Sequence, residues 1–399
     1  MRIIYMNKNL RKYLKIFIIV CNFIGLLTIT GCWSRNEISE LNFVIGAAID
    51  IEEEQLKVIA QIARVDVIAS DTAVEIPGSV ALNANGKTVF DAIRKISLEA
   101  QYPLFWGHQQ MLLISDTMAK QGITEAFSFF ARDHETSRSM LLAVTEEDVM
   151  KVMDKQVGRG NLPMLALHNL IENYGANGKI MPVSIHNYLK TNTSKGICFT
   201  IPMITTNKHG ERYSFKADGM ALFNKNKMVG KLTVEETRGL LFLLDEMKGT
   251  VIPINVTDKA KGEDSLAIYE VSAEILSSKT KIIAKGADKF TVKTEAEISI
   301  SEDNFREDIL PNQYDEVIKK IEKEIAAVIE QEMKRVEQIT KEMKTDPSGF
   351  GQALYRQRPK EWKAIESGWC DEYYPNIEVT YDVSVKFLGQ MLLRSLDSH

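Results

Sequence analysis

Cys32 is the residue whose position most directly implies chemistry. It ends the run Leu26-Leu-Thr-Ile-Thr-Gly-Cys32. Upstream, Arg2, Lys8, Arg11, Lys12 and Lys15 make the N-terminus basic, and Ile16 to Thr30 carry no charged side chain. A positive segment followed by an apolar one of this length is the layout of a signal peptide. It is short of the roughly 20 residues that a membrane-spanning helix needs. The run closes on Ile29-Thr30-Gly31-Cys32, an aliphatic residue, small residues and a cysteine. That is the pattern of a bacterial lipoprotein processing site, where the thiol accepts a diacylglycerol and the chain is cut just before it. The expectation is an N-palmitoyl, S-diacylglycerol cysteine at Cys32 with membrane lipid as its partner. Each buried CH₂ of an acyl chain contributes about 0.8 kcal/mol, so two or three chains hold a protein firmly to a bilayer. The competing reading is an uncleaved N-terminal anchor with an incidental cysteine.

The other chemistry-bearing residues form no constellation. His108, His134, His168, His186, His209 and His399 show no metal-binding helical spacing, and none sits beside a cysteine. Asn85-Gly-Lys-Thr88 resembles the end of a phosphate-binding loop, but Ala81 stands where its first glycine belongs, so a helix-capping turn is expected. No G-x-S-x-G elbow occurs. The expectation is a non-enzyme without cofactor or metal. Once residues 1–31 are removed, 44 of the 49 basic side chains remain against all 54 acidic ones, a net charge of −10. An acidic body argues against nucleic acid as a partner. Cys198 and Cys370 are the cysteines left beside Cys32; either both are small buried hydrophobes or they form one bridge. Two more stretches stand out. Arg132-Asp-His-Glu-Thr-Ser-Arg138 reads as a partner-facing loop or a local salt-bridged turn. Asp346-Pro-Ser-Gly-Phe-Gly351, with Trp362, Trp369 and Tyr373-Tyr374 downstream, reads as a hydrophobic lock or a ligand cage.

The elements that position these residues alternate along the chain. Strands are expected at 41–50, 56–68, 105–115 and 139–144, a turn at 83–86, and helices opening at Thr88, Asp116 and Thr145. Short helical pieces follow from Leu162 to Lys190. A hairpin spans 216–232, a helix opens at Thr233 and runs through Met247, and strand-like segments lie at 249–256, 265–277, 279–285 and 289–300. From Pro311 to Thr345 the apolar positions trace one face of a helix about 50 Å long. It is read as laid across a sheet, with a coiled coil to a partner protein as the alternative. An alternating strand closes the chain at 377–387. The fold class is α+β or mixed α/β and multi-domain, each domain a β-sheet with helices packed on it. The divisions expected are 1–31, a lipoprotein signal peptide; 32–206, an N-terminal α/β region of one domain or of two split near 160; and 207–399, a C-terminal α/β domain with the long helix.

Taken together these residues resemble the C-subunit lipoproteins of spore nutrient-germinant receptors, the Ger(x)C family. Cys32-Trp-Ser-Arg-Asn-Glu-Ile38 and Phe43-Val-Ile-Gly-Ala-Ala-Ile-Asp50 resemble that family's mature N-terminus. Trp106-Gly-His-Gln-Gln110, Ala119-Lys-Gln-Gly-Ile123 and Phe129-Phe-Ala-Arg-Asp133 follow in order. Gly219-Met-Ala-Leu-Phe223, Met228-Val-Gly-Lys-Leu232, Glu236-Thr-Arg-Gly239 and Gly349-Phe-Gly351 continue it through the second half. Ser34 departs from the aspartate that members often carry there. The resemblance implies three α/β domains and no known enzymatic activity. It further implies a place on the outer face of the spore inner membrane, beside the polytopic A and B subunits of the receptor, one of them transporter-like. The alternative is an extracytoplasmic solute-binding lipoprotein of a transporter. Such proteins show two similar lobes, and no lobe duplication is visible in this sequence.

Overall fold

A computed structural model describes residues 8–27, 40–64, 78–155, 157, 161–176, 178–210, 212–259, 266–303 and 311–388. Cys32 and the processing site lie outside them. The chain divides into two units, residues 1–41 and 42–399. The first holds α1 (Lys8–Leu27), whose apolar side chains from Ile16 to Val20 are exposed. Among the described residues no helix is long and apolar enough to cross a membrane.

In the second unit, β1 (Asn42–Glu52), β2 (Gln55–Ala63) and β3 (Ser79–Gly86) form an antiparallel meander. Residues 83–86, expected as a turn, are the end of β3. Leu56, Lys57, Val58 and Ile59 of β2 pair with them and hold them in the ladder. α2 (Val89–Glu99) starts at Thr88, whose hydroxyl accepts the Asp91 N–H, so the Gly-Lys-Thr stretch caps a helix. The strand expected over 105–115 is two strands, β4 (Leu104–Phe105) and β5 (Met111–Ser115), both parallel to β1. A turn separates them: the Gln109 N–H donates to the Trp106 carbonyl at 3.0 Å, and both side chains turn inward. Ser115, not Asp116, caps α3 (Asp116–Gln121), its oxygen accepting the Met118 N–H. Gly122, at φ +134°, breaks the expected single helix, and α4 (Thr124–Arg132) follows.

β6 (Leu141–Thr145) adds in parallel to β5, and α5 (Val149–Asp154) is capped by Asp148. α6 (Pro163–Glu172) and α7 (Ile185–Asn192) are the short helical pieces. β7 (Thr200–His209), β8 (Arg212–Asn224) and β9 (Lys227–Leu232) then extend the same sheet, in the order β3-β2-β1-β5-β6-β7-β8-β9 with β4 beside β1. Hydrogen bonding therefore continues across residues 206 and 207. β8, bulged between Leu222 and Phe223, serves two cores. Phe223 points into the core of the first sheet, whereas Leu222 joins the second core.

That second core lies on β10 (Thr250–Lys259), β11 (Leu266–Ala284), β12 (Lys289–Asp303) and β13 (Glu378–Phe387), in that order, with β13 parallel to β12. β11 is continuous where two strands were expected, because a bulge between Ile275 and Ser277 resets its alternation without breaking the ladder. α8 (Val234–Leu243) opens with a capping box of Thr233 and Glu236, and ends four residues before Met247. α9 (Pro311–Glu342) lies across the sheet and buries Val317, Ile321, Ile325, Ile329, Met333 and Val336, three or four residues apart. Its apolar stripe is thus spent on its own domain's sheet, as expected from its irregular seam. α10 (Phe350–Gln357) and α11 (Pro359–Ile365) follow. The described residues form two sheets.

Candidate functional site

The most highly organised polar site surrounds Asp346, just past the C-terminus of α9. Its side chain is fully buried. It accepts four N–H groups: Gly349 at 2.8 Å, Phe350 at 3.1 Å, Gly351 at 2.8 Å and the Trp369 indole at 2.9 Å. The first three are the unpaired amides at the start of α10, which a capping carboxylate satisfies. Burial pushes the carboxyl up to about 6, against the pull of the four donors. Four N–H donors surround a group that can donate only when protonated, so the arrangement suits an anion fixed in place. Through these bonds the carboxylate holds separate segments of the chain together.

Those segments come from both halves of the unit. The Asp346 carbonyl accepts the Cys198 N–H at 2.8 Å, tying the approach to β7 to the end of α9. Gly196 and Gly351 touch backbone to backbone: a Cβ on Gly196 would lie 2.3 Å from the Gly351 carbonyl carbon, and one on Gly351 would lie 2.5 Å from Trp369 Nε1. The Cys198 and Cys370 sulfurs face each other at 3.6 Å, both as free thiols. The two are neighbours, half-buried and unbonded, between the two readings the sequence left open. Around them Trp369 packs against Trp362 at 5.6 Å and Phe290 at 6.2 Å, and Tyr374 donates to or accepts from the Thr340 hydroxyl at 2.7 Å. Tyr373 is exposed and Trp362 and Trp369 line an open cleft, but Trp362, Trp369, Tyr374 and Phe350 are all buried, the packing of a lock. Its polar centre, Asp346, was not singled out by sequence reasoning. The signal available was an aspartate three residues before a glycine-flanked helix start, the spacing of a side-chain cap.

The second place of interest is an open cleft of ≈ 690 Å³ between α2 and α4, lined among others by Phe90, Arg94, Tyr102, Trp106, Phe129 and His134. The charged stretch 132–138 forms its rim. Hydrogen bonds hold that turn: Asp133 Oδ1 accepts the Glu135 N–H at 2.9 Å, and the Thr136 hydroxyl donates to the Phe130 carbonyl at 2.7 Å. No ion pair within it is found among the described residues. His108, expected in a strand, sits in the turn after β4, with its ring 5.6 Å from Phe43 and 5.4 Å from Phe105. His168 is paired loosely with Glu172 at 3.9 Å on α6. The structure thus brings together Asp346, Cys198, Cys370 and Trp369; His108 and His168 line one open pocket, and His399 lies outside the described residues. No cluster of metal-ligating side chains occurs among the described residues.

Comparison with known proteins follows the two halves. Residues 34–206 match the spore germination protein N-terminal domain, and residues 218–389 match the spore germination B3/GerAC-like C-terminal domain. The chain is 28% identical to spore germination protein B3 of Bacillus subtilis (strain 168) over 379 residues, covering 92% of this chain and 96% of that one. It is 29% identical to spore germination protein A3 of the same organism, covering 92% and 96%, and 24% identical to spore germination protein KC, covering 92% and 93%. In fold it is similar to the crystal structure of the GerBC protein, with a TM-score of 0.54 and 22% identity over 86% of this chain and 97% of that one. Matched in order through both halves and over nearly the whole length of its relatives, the chain belongs to the GerAC, or Ger(x)C, family of spore germination proteins.

Proposed function

We propose that this protein is the lipid-anchored, non-enzymatic C subunit of a spore nutrient-germinant receptor. It is needed for assembly of the receptor and for its response to nutrient. The observation that carries the reading is the end-to-end match to spore germination proteins A3, B3 and KC. In this reading Cys32 bears the N-palmitoyl and S-diacylglycerol groups and holds the body on the outer face of the spore inner membrane. The basic N-terminus and the exposed apolar side of α1 support that reading as a leader. The body acts through contacts with the polytopic A and B subunits. An interior built around a capped carboxylate and filled aromatic packing supports a scaffold role.

The test is affinity purification of the tagged protein from detergent-solubilised spore membranes, with mass identification of what accompanies it. Co-purification of two polytopic proteins, one transporter-like, is the expected result. Recovery of an ABC permease in their place refutes the receptor reading. For the anchor, Cys32→Ser should leave the precursor unprocessed; normal maturation and membrane retention of that variant would refute lipidation.

A further inference from the structure

Cys198 and Cys370 are 172 positions apart in the chain, yet their sulfurs lie 3.6 Å from each other. The same residue sets both. Cys198 is fixed by its N–H on the Asp346 carbonyl, and Trp369, next to Cys370, is fixed by its indole on the Asp346 carboxylate. A disulfide needs sulfurs about 2.05 Å apart, an approach of about 1.5 Å that rotation of the two side chains can supply. Both cysteines line an open cleft of ≈ 340 Å³ together with Lys195, Lys225 and Trp362, so a small reagent can reach them. Cys198 precedes β7 of the first sheet. Cys370 follows the helices that cap the second.

We propose that Cys198 and Cys370 form a reversible disulfide by exchange with a low-molecular-weight disulfide such as glutathione disulfide, and that this bond staples the two sheets together. Either sulfur can donate across this contact; with Cys370 as donor, Cys198 is held below its ordinary thiol value while Cys370 is raised, so Cys198 is the attacking thiolate. It attacks one sulfur of the glutathione disulfide, forming a mixed disulfide and releasing one glutathione thiolate, which takes up the proton Cys198 has lost. Cys370 gives its proton to water and attacks the Cys198 sulfur, expelling the second glutathione, which is protonated in turn. One glutathione disulfide is reduced to two thiols, and the protein dithiol is oxidised to one disulfide with loss of two hydrogens. The bond closes a loop that contains β7 through α11, so it opposes separation of the two cores.

The test uses the full chain in detergent, equilibrated in glutathione buffers of increasing oxidised fraction, with free thiols blocked and peptides mapped by mass. The expected result is a single peptide pair joined through Cys198 and Cys370, reversed by reductant, and a melting midpoint higher by about 5 °C or more in the oxidised protein. Cys370→Ser should accumulate glutathione on Cys198. The proposal is overturned if both thiols remain blockable in fully oxidised glutathione, if the link forms only in denaturant, or if the linked protein melts no higher. If glutathione accumulates on Cys370 of a Cys198→Ser variant and not on Cys198 of Cys370→Ser, the assignment of Cys198 as nucleophile is overturned.

Discussion

Replacing Asp346 tests the organisation of the buried site most directly. Asp346→Ala removes the acceptor of four buried N–H groups. Each buried donor left unsatisfied costs about 1 kcal/mol or more, and water entering the vacated volume recovers part of that, so the expected loss is about 4 kcal/mol. Asp346→Asn keeps one oxygen for Gly349 and Phe350 but turns an amide N–H₂ toward Gly351 and the Trp369 indole; about 2 kcal/mol is expected. The pH dependence separates burial from donation. Burial raises the folded carboxyl to about 6 from an ordinary 3.8. A carboxyl raised in the folded state contributes stability that is fully present below the lower value and is lost as pH rises through the higher one. The stability advantage of the wild type over Asp346→Asn should therefore shrink by about 2.4 kcal/mol between pH 4 and pH 7. Urea unfolding of both proteins across that range, followed by tryptophan fluorescence, measures it. An advantage that is flat or grows toward pH 7 would show the four donors outweighing burial and refute the electrostatic argument. A loss under about 1 kcal/mol for Asp346→Ala would refute the structural one.

Three further outcomes follow from other contacts. Gly351→Ala places a Cβ 2.5 Å from Trp369 Nε1 and 2.9 Å from Gly196 Cα, so it should cost more than about 2 kcal/mol in urea unfolding, whereas Gly286→Ala, whose nearest neighbour is 3.5 Å away, should be near neutral. Arg238 binds Glu332 through two N–H groups, Nε at 2.9 Å, and donates to the Val251 carbonyl at 3.2 Å, joining α8 to α9 and β10. Arg238→Met should cost about 3 kcal/mol by leaving a half-buried carboxylate unpaired, and a double variant with Glu332→Met should recover most of it in a mutant cycle. Burial pushes the Glu147 carboxyl up, but Lys155 and the Thr206 donors outweigh it and hold the group below its usual range. A lowered folded value gives stability that is present near neutral pH and lost on acidification. Glu147→Gln should thus cost about 1 kcal/mol at pH 7, in a cluster partly open to water, with the difference closing as pH falls below about 4.

What was legible in the sequence was what local periodicity and capping determine. The stripe from Ile321 to Val336 identified α9 and its burial because a helix of that length must cover its apolar face with something near at hand. Thr88 and Thr233 announced helix starts because a hydroxyl there meets amides of its own turn. The misreadings share one cause. Phe105 to Ser115 reads as one apolar strand, and only β1, with its pairing broken between Val44 and Gly46, decides that Trp106 and Gln109 must turn inward between two short ladders. β11 runs past Ser277 because β12 continues opposite it. Asp346 is the extreme case. Asp-Pro-Ser-Gly reads locally as a stop signal, and any exposed aspartate would serve for that. Its burial depends on Trp369, 23 residues on, and on Gly196 and Cys198, some 150 residues before. No window of sequence contains those partners. The same reasoning explains why Cys198 and Cys370, unremarkable in their own neighbourhoods, end as a facing pair: a carboxylate that gathers distant segments brings their side chains into contact with it.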